Sequence, residues 1–99
     1  MTKTVLVPVA EGSEEIEAVC IIDILRRAGA DVTVAAVDHT GAGQLTITAS
    51  RGVKITADTT LDECTNRKFD LIALPGGIPG AENLKNSDFK NDHVNIAGE

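Results

Sequence analysis

Apolar and polar positions follow two rhythms along this chain, and the switches between them lay out its elements. Val5-Leu6-Val7-Pro8-Val9 is a continuous apolar run, the mark of a strand covered on both faces. Pro8 dissents, because proline removes a ladder donor and belongs at strand edges or ends. Gly12-Ser13 supplies a turn and a helix cap, and Glu14, Glu15 and Glu17 load the first helical turn with negative charge. The helix runs to about Arg27 and ends at Gly29. Asp31 to Val37 reads as a second strand, so strand, helix and strand make a βαβ unit with a parallel pair.

From His39 to Thr60 the rhythm becomes alternation. Leu45, Ile47 and Ala49 stand against Thr46 and Thr48, then Val53 and Ile55 against Lys54 and Thr56, with Arg51-Gly52 between. This predicts a small two-stranded excursion. Leu61 to Cys64 is at most a short helical turn, Asp70 to Leu74 is the next buried strand, and a further helix begins at Ile78 and runs to about Lys85. Beyond Asn86, turn-forming residues separate Phe89, Val94 and Ile96 without a helical stripe. Residues 1–85 therefore read as the ordered part and 86–99 as a polar, divergent tail without stable order.

Composition narrows the partners. The 99 residues suit one small domain, and 42% hydrophobic with 24% charged residues is ordinary for a soluble one. Aromatics are only 2% and the net charge is −6, which argues against both base stacking and phosphate-backbone binding. No apolar run is long enough to cross a bilayer and no signal segment precedes the first strand. The expectation is a cytoplasmic protein with no nucleic-acid or membrane partner. Two cysteines, Cys20 and Cys64, make neither a disulfide framework nor a zinc cluster, and His39 and His93 stand alone, so no metal is expected.

The first helix carries more apolar surface than an open sheet needs. Ile21, Leu25 and Ala28 gather with Ala18 and Ile22 on one side, facing the sheet. Ile16, Cys20, Asp23 and Arg27 form a second stripe, flanked by Val19 and Ile24. Either the helix is covered on both sides, or the stripe is a symmetric dimer contact with Asp23 and Arg27 giving polar specificity.

Candidate chemistry lies at the carboxyl ends of the strands, where open α/β sheets bind ligands. Glu17 stands in the first helical turn and can act as a proton donor or orient a nucleophile; the plainer alternative is that the three glutamates balance the helix dipole. Gly76-Gly77, closing the strand at Leu74-Pro75, can donate backbone N–H groups to an oxyanion; the plainer alternative is a tight strand-to-helix turn. Cys20 and Cys64 are the available thiols, and neither sits at a strand-to-helix elbow that would lower its pKa.

These segments together resemble the ThiJ/PfpI superfamily, in the branch of the Parkinsonism-associated protein deglycase. The resemblance is carried by Val5 through Val19, Asp23 through Gly29, Val32 to Ala35, Ser50-Arg51-Gly52, Asp58, and Phe69 through Ala81, in order from about Val5 to Leu84. It implies a flavodoxin-like three-layer α/β sandwich with a mostly parallel sheet, truncated here after the strand ending in Pro75-Gly76-Gly77. It also implies a homodimer built partly on the first helix, and no cofactor. Family activities are glutathione-independent conversion of methylglyoxal to lactate, deglycation, and oxidative-stress protection or chaperoning. By the resemblance Glu17 is the supporting acid of a reactive cysteine, Gly77 the oxyanion N–H donor and Gly76 its turn.

The cysteine elbow of that family would fall beyond Glu99, and neither Cys20 nor Cys64 matches it. The leading expectation is thus a catalytically incomplete amino-terminal piece, taking a small dicarbonyl substrate only if its site is completed. A second reading is an interaction module that pairs through Ile16, Val19, Cys20, Asp23 and Arg27 with a complete family member. A third is an enzyme using Cys20 or Cys64. The exposed apolar surface predicts a marginal monomer that dimerises, aggregates or needs a partner.

Overall fold

The computed structural model describes residues 2–38 and 40–75 and the backbone of 96–97. Strand β1 (Thr4–Val9) leads into helix α1 (Glu15–Arg27) and strand β2 (Asp31–Ala36). A hairpin of β3 (Thr46–Thr48) and β4 (Lys54–Thr56) follows, then β5 (Thr59–Thr60), a 3-10 turn at Leu61–Cys64, β6 (Leu71–Ala73) and β7 (Ile96–Ala97). The main sheet runs β5-β2-β1-β6-β7 with every neighbouring pair parallel, a flavodoxin-like order with a short extra edge strand. The antiparallel hairpin is the predicted excursion, with Ile47 opposite Ile55. β7 lies inside the stretch read as a divergent tail; the rest of that stretch, like the helix expected from Ile78, lies outside the described residues.

Alternation along the strands divides the core. Val5, Val7, Val9, Val32, Val34 and Ala36 pack on the α1 side with Ala18, and the hairpin adds Ile47 and Ala49 there. Leu6, Ala35, Ile72 and Leu74 point the other way and meet Leu61, Cys64 and Phe69. Handedness explains the division. Right-handed connections place the α1 and hairpin crossovers on one face and the return from β5 to β6 on the other.

Pro8 is tolerated in this central strand because of where its missing donor falls. Asp31 donates to the Lys3 carbonyl and Val37 to the Val9 carbonyl, each at 2.8 Å, so odd-numbered residues of β1 face β2. Even-numbered residues face β6, where Asp70 N–H meets the Thr4 carbonyl at 2.9 Å. The absent Pro8 N–H thus lies on the β6 side, past the Val5–Leu71 and Leu6–Ile72 pairs. The other exposed stretch of backbone, on β2, is dressed by side chains. Asp58 Oδ2 accepts from Val34 N–H at 2.9 Å, and Arg26 Nη2 reaches both the Val32 carbonyl at 3.4 Å and Asp58 at 3.3 Å.

Two details of α1 differ from expectation. Its N-cap is Glu14, whose carboxylate accepts from Ile16 N–H at 3.0 Å and Glu17 N–H at 3.2 Å, rather than Gly12-Ser13. Ser13 is buried and its hydroxyl is turned back to accept from Ala10 N–H at 3.0 Å. Ala28, expected against the sheet, is exposed where the helix ends, and Gly29 follows at φ 87. Ala18, Ile21, Ile22 and Leu25 do face the core.

Candidate functional site

The carboxyl end of β1 opens into a turn, Ala10 to Ser13, that is held from several sides. Gly12 takes φ 84 there and donates to the Thr48 carbonyl at 3.0 Å, while Ser13 accepts from Ser50 N–H at 2.9 Å. Glu11 accepts from Thr48 N–H. The turn therefore leaves α1 starting at a fixed point over the sheet, braced by the hairpin.

Three acids at that start have three fates. Glu14 caps the helix. Glu15 is buried and accepts from Ser50 Oγ at 2.7 Å and Arg51 N–H at 2.8 Å, latching the hairpin turn to α1. Burial pushes its carboxyl up, but hydrogen bonds from its own N–H, Ser50, Arg51 and Val53 outweigh that and hold its pKa below the ordinary value. Glu17, the candidate acid, is exposed on the same turn. Reading the three as equivalent dipole partners missed the Glu15 latch. Its faint signal was the Ser50-Arg51-Gly52 turn, which offers just such donors.

A second anchored loop adjoins the site. Asp38 Oδ1 accepts from Thr40 N–H at 2.9 Å and Thr40 Oγ1 at 2.5 Å; Oδ2 accepts from Gly43 N–H at 2.7 Å and Gln44 N–H at 2.9 Å. The Thr40 hydroxyl is the main reason the Asp38 carboxyl is lowered to about 2, with the backbone donors overcoming a smaller effect of burial. Between this loop and Glu11 lies a cavity of about 120 Å³ lined by Val37, Asp38, Thr46 and Ile47. A larger groove of about 590 Å³ lies at the opposite, amino end of the strands, between Leu25 and Leu71. Glu17 lines neither cavity; the smaller one lies past the carboxyl ends of β1 and β2, the end at which open α/β sheets bind ligands.

The predicted thiols are not brought to Glu17 as a site. Cys20 lies exposed one turn along α1, where helical N–H groups are spent on the helix and none is left for an oxyanion. Cys64 is buried on the far side of the sheet, and burial pushes its thiol up, only partly countered by Arg67. Gly76 and Gly77, like His39 and His93, lie outside the described residues; the chain leads toward the glycines through buried Leu74 and Pro75 at the same end of the sheet as Glu17. Among the described residues no three His, Cys, Asp or Glu side chains group to hold a metal, and no helix is long and apolar enough to cross a membrane.

The second stripe of α1 is uncovered. Ile16 is 72% exposed, Ile24 62% and Val19 52%, with Cys20 exposed between them. Asp23 and Arg27 pair with each other at 2.9 Å on this surface.

Comparison with known proteins agrees with the geometry. The sequence profile of the DJ-1/PfpI family matches residues 3–96. Protein DJ-1 homolog B of Arabidopsis thaliana is 56% identical over 85 residues, which are 86% of this chain and 18% of that protein. The glutathione-independent glyoxalase DJR-1.2 of Caenorhabditis elegans is 35% identical over 74 residues, 75% of this chain and 37% of that one. Among solved structures, oxidized Toxoplasma gondii DJ-1 superposes with a TM-score of 0.82 at 50% identity, covering 89% of this chain and 46% of that chain. The chain thus spans less than half the length of each of these relatives.

Proposed function

Because this chain belongs to the DJ-1/PfpI family, we propose that it carries the amino-terminal part of a glutathione-independent glyoxalase or protein deglycase site and lacks that site's nucleophile. The observation that carries the reading is the position of Glu17. It is exposed at a braced helix start beyond the carboxyl end of β1, with Cys20 one turn along the same helix and Cys64 on the far side of the sheet. A carboxyl group there serves a cysteine thiolate delivered from another segment, by hydrogen-bonding it and passing a proton to the dicarbonyl oxygen. Conversion of methylglyoxal to lactate adds one water and needs no external oxidant, so no cofactor is required. Gly76 and Gly77 supply the turn and the oxyanion N–H in this scheme.

The test is lactate formation from methylglyoxal by the 99-residue chain without glutathione. No lactate above buffer is expected. Lactate that disappears in Cys20→Ser or Cys64→Ser would replace this reading with a thiol enzyme.

A second reading is favoured by the exposed Ile16, Val19 and Ile24. Through this stripe, with Cys20, Asp23 and Arg27, the chain pairs with itself or with a complete family member and modulates it. Mixed dimers in native mass spectrometry, weakened by Arg27→Glu, are the expected result; mixing that leaves two separate species removes the reading.

A further inference from the structure

We infer that Arg51 is the site at which a 1,2-dicarbonyl modifies this chain; the choice of that reagent class rests on the dicarbonyl reading above. The sequence holds four arginines, all among the described residues. Three have their guanidinium groups occupied. Arg27 Nε donates to Asp23 Oδ1 at 2.9 Å. Arg26 Nη2 is shared between Asp58 Oδ2 at 3.3 Å and the Val32 carbonyl at 3.4 Å. Arg67 lies over the Phe69 ring, 4.8 Å from its centroid, and its Nη2 donates to the Thr33 hydroxyl at 3.3 Å. Arg51 is exposed and engages only its backbone N–H, which Glu15 Oε2 accepts at 2.8 Å. Its guanidinium has no partner among the described residues.

The turn that carries Arg51 is fixed, so only its side chain is left to solvent. Gly52 N–H meets the Ala49 carbonyl at 2.9 Å, Ala49 N–H the Val53 carbonyl at 2.8 Å, and Ser50 N–H the Ser13 carbonyl at 2.9 Å. A dicarbonyl needs two guanidinium nitrogens open at once. The guanidinium first gives one proton to water. Each terminal nitrogen then bonds to one carbonyl carbon, and the proton it sheds ends on the oxygen of that carbonyl. The resulting dihydroxy five-membered ring contains the whole dicarbonyl, and loss of one water leaves a hydroimidazolone. No oxidant or cofactor enters. The exposed Cys20 thiol adds to the same reagent as a hemithioacetal, which returns the dicarbonyl on dilution, whereas the arginine ring persists. Opening an exposed pair first slows Arg27 by about two- to fivefold. Arg26 and Arg67, each held by two contacts, are slower still.

The experiment is brief exposure of the folded 99-residue chain, dilute enough to be monomeric, to methylglyoxal, then dilution and peptide mapping by mass spectrometry. Adducts of one dicarbonyl, with or without loss of one water, are expected first at Arg51. Arg27 should follow about two- to fivefold more slowly, with Arg26 and Arg67 last. Asp23→Asn, an exposed change that frees Arg27, should raise Arg27 to the Arg51 rate and leave Arg51 unchanged. In urea the four rates should converge, because the unfolded chain keeps none of these contacts. Modification led by Arg27, whose side chain is 79% exposed, or equal at Arg27 and Arg51, would mean that exposure alone governs and overturns the proposal. So does an Arg51 lead that persists in urea, or an Arg27 rate unmoved by Asp23→Asn. Adduct mapping reads no turnover, and lactate in the same samples is measured separately, so failure here is distinguishable from failure of the glyoxalase reading.

Discussion

The two ends of β1 are finished in opposite ways. At the carboxyl end, side chains bind the backbone at every step: Ser13 holds Ala10, Glu14 holds Ile16 and Glu17, and Glu15 holds Arg51. At the amino end, Thr4 and Asp70 exchange hydrogen bonds across β1 and β6, but beside them the apolar groove lies open. Local bonds thus suffice to position an acid such as Glu17, whereas covering a sheet face takes a whole further element. One end is preorganised from within some 40 residues of sequence; the other is bounded by the apolar side chains of Val5, Leu25 and Leu71.

The strongest way to break this contrast is through the core that both ends share. Leu6 is fully buried. Leu6→Ala should cost about 2–5 kcal/mol, a large share of the roughly 5–15 kcal/mol available to a domain. Thermal melts and amide exchange should show both ends loosening together; loss of protection at one end alone would mean that the ends fold independently. Ser13→Ala acts at the carboxyl end only. It leaves the Ala10 N–H without its acceptor, costing about 1–3 kcal/mol. Exchange should quicken around Ala10 and Ser50 while Thr4 and Asp70 keep their protection. Equal loosening at the amino end would show that the contrast is only apparent.

The same contrast sets what was legible in the sequence. The βαβ unit, the hairpin and the parallel strand at Leu71 follow from runs and alternation of apolar residues, because burial on two faces or one leaves that imprint. The surplus stripe of α1 was equally visible, since Ile16 and Val19 interrupt what should be a polar surface. Side-chain roles were not. Periodicity cannot tell Glu14, Glu15 and Glu17 apart, for the choice depends on a hairpin turn 35 residues away at Ser50. Nor can it distinguish a Ser13 that caps the helix from one that folds back to Ala10. The Asp38 loop carries a fair cue in Asp38-His39-Thr40-Gly41, an acid ahead of turn residues.

A smaller effect is expected on the outer stripe. Arg27 and Asp23 form an exposed pair four residues apart, worth about 0.3–0.5 kcal/mol in a helix. Arg27→Glu should barely move the melting temperature of the monomer. If the stripe is the dimer contact, sedimentation should show dissociation at several-fold higher protein concentration than for the parent. A large loss of monomer stability would instead mean that Arg27 braces the fold.

The finest test uses acid. Asp38 has its pKa lowered from 3.8 to about 2, chiefly by the Thr40 hydroxyl and then by the Gln44, Thr40 and Gly43 N–H groups. A carboxyl more acidic in the folded chain than in the unfolded one contributes stability that is complete above the unfolded value. That contribution is lost as the pH falls from 3.8 toward about 2. Glu15 acts in the same sense below its ordinary 4.5, and Asp70, lowered mainly by the Thr4 N–H, does so at the amino end. Both ends should therefore weaken in acid. Asp38→Asn offers only one oxygen to the donors on Thr40, Gly43 and Gln44, so their amides should exchange faster at neutral pH. The pH dependence of that loop between 3.8 and about 2 should flatten, because the titrating group is gone. The amino end, titrated through Asp70, should keep its acid response unchanged. A loop that still loosens over the same pH range in Asp38→Asn would place the acid sensitivity elsewhere, with Glu15→Gln as the next variant to separate the latch from the loop.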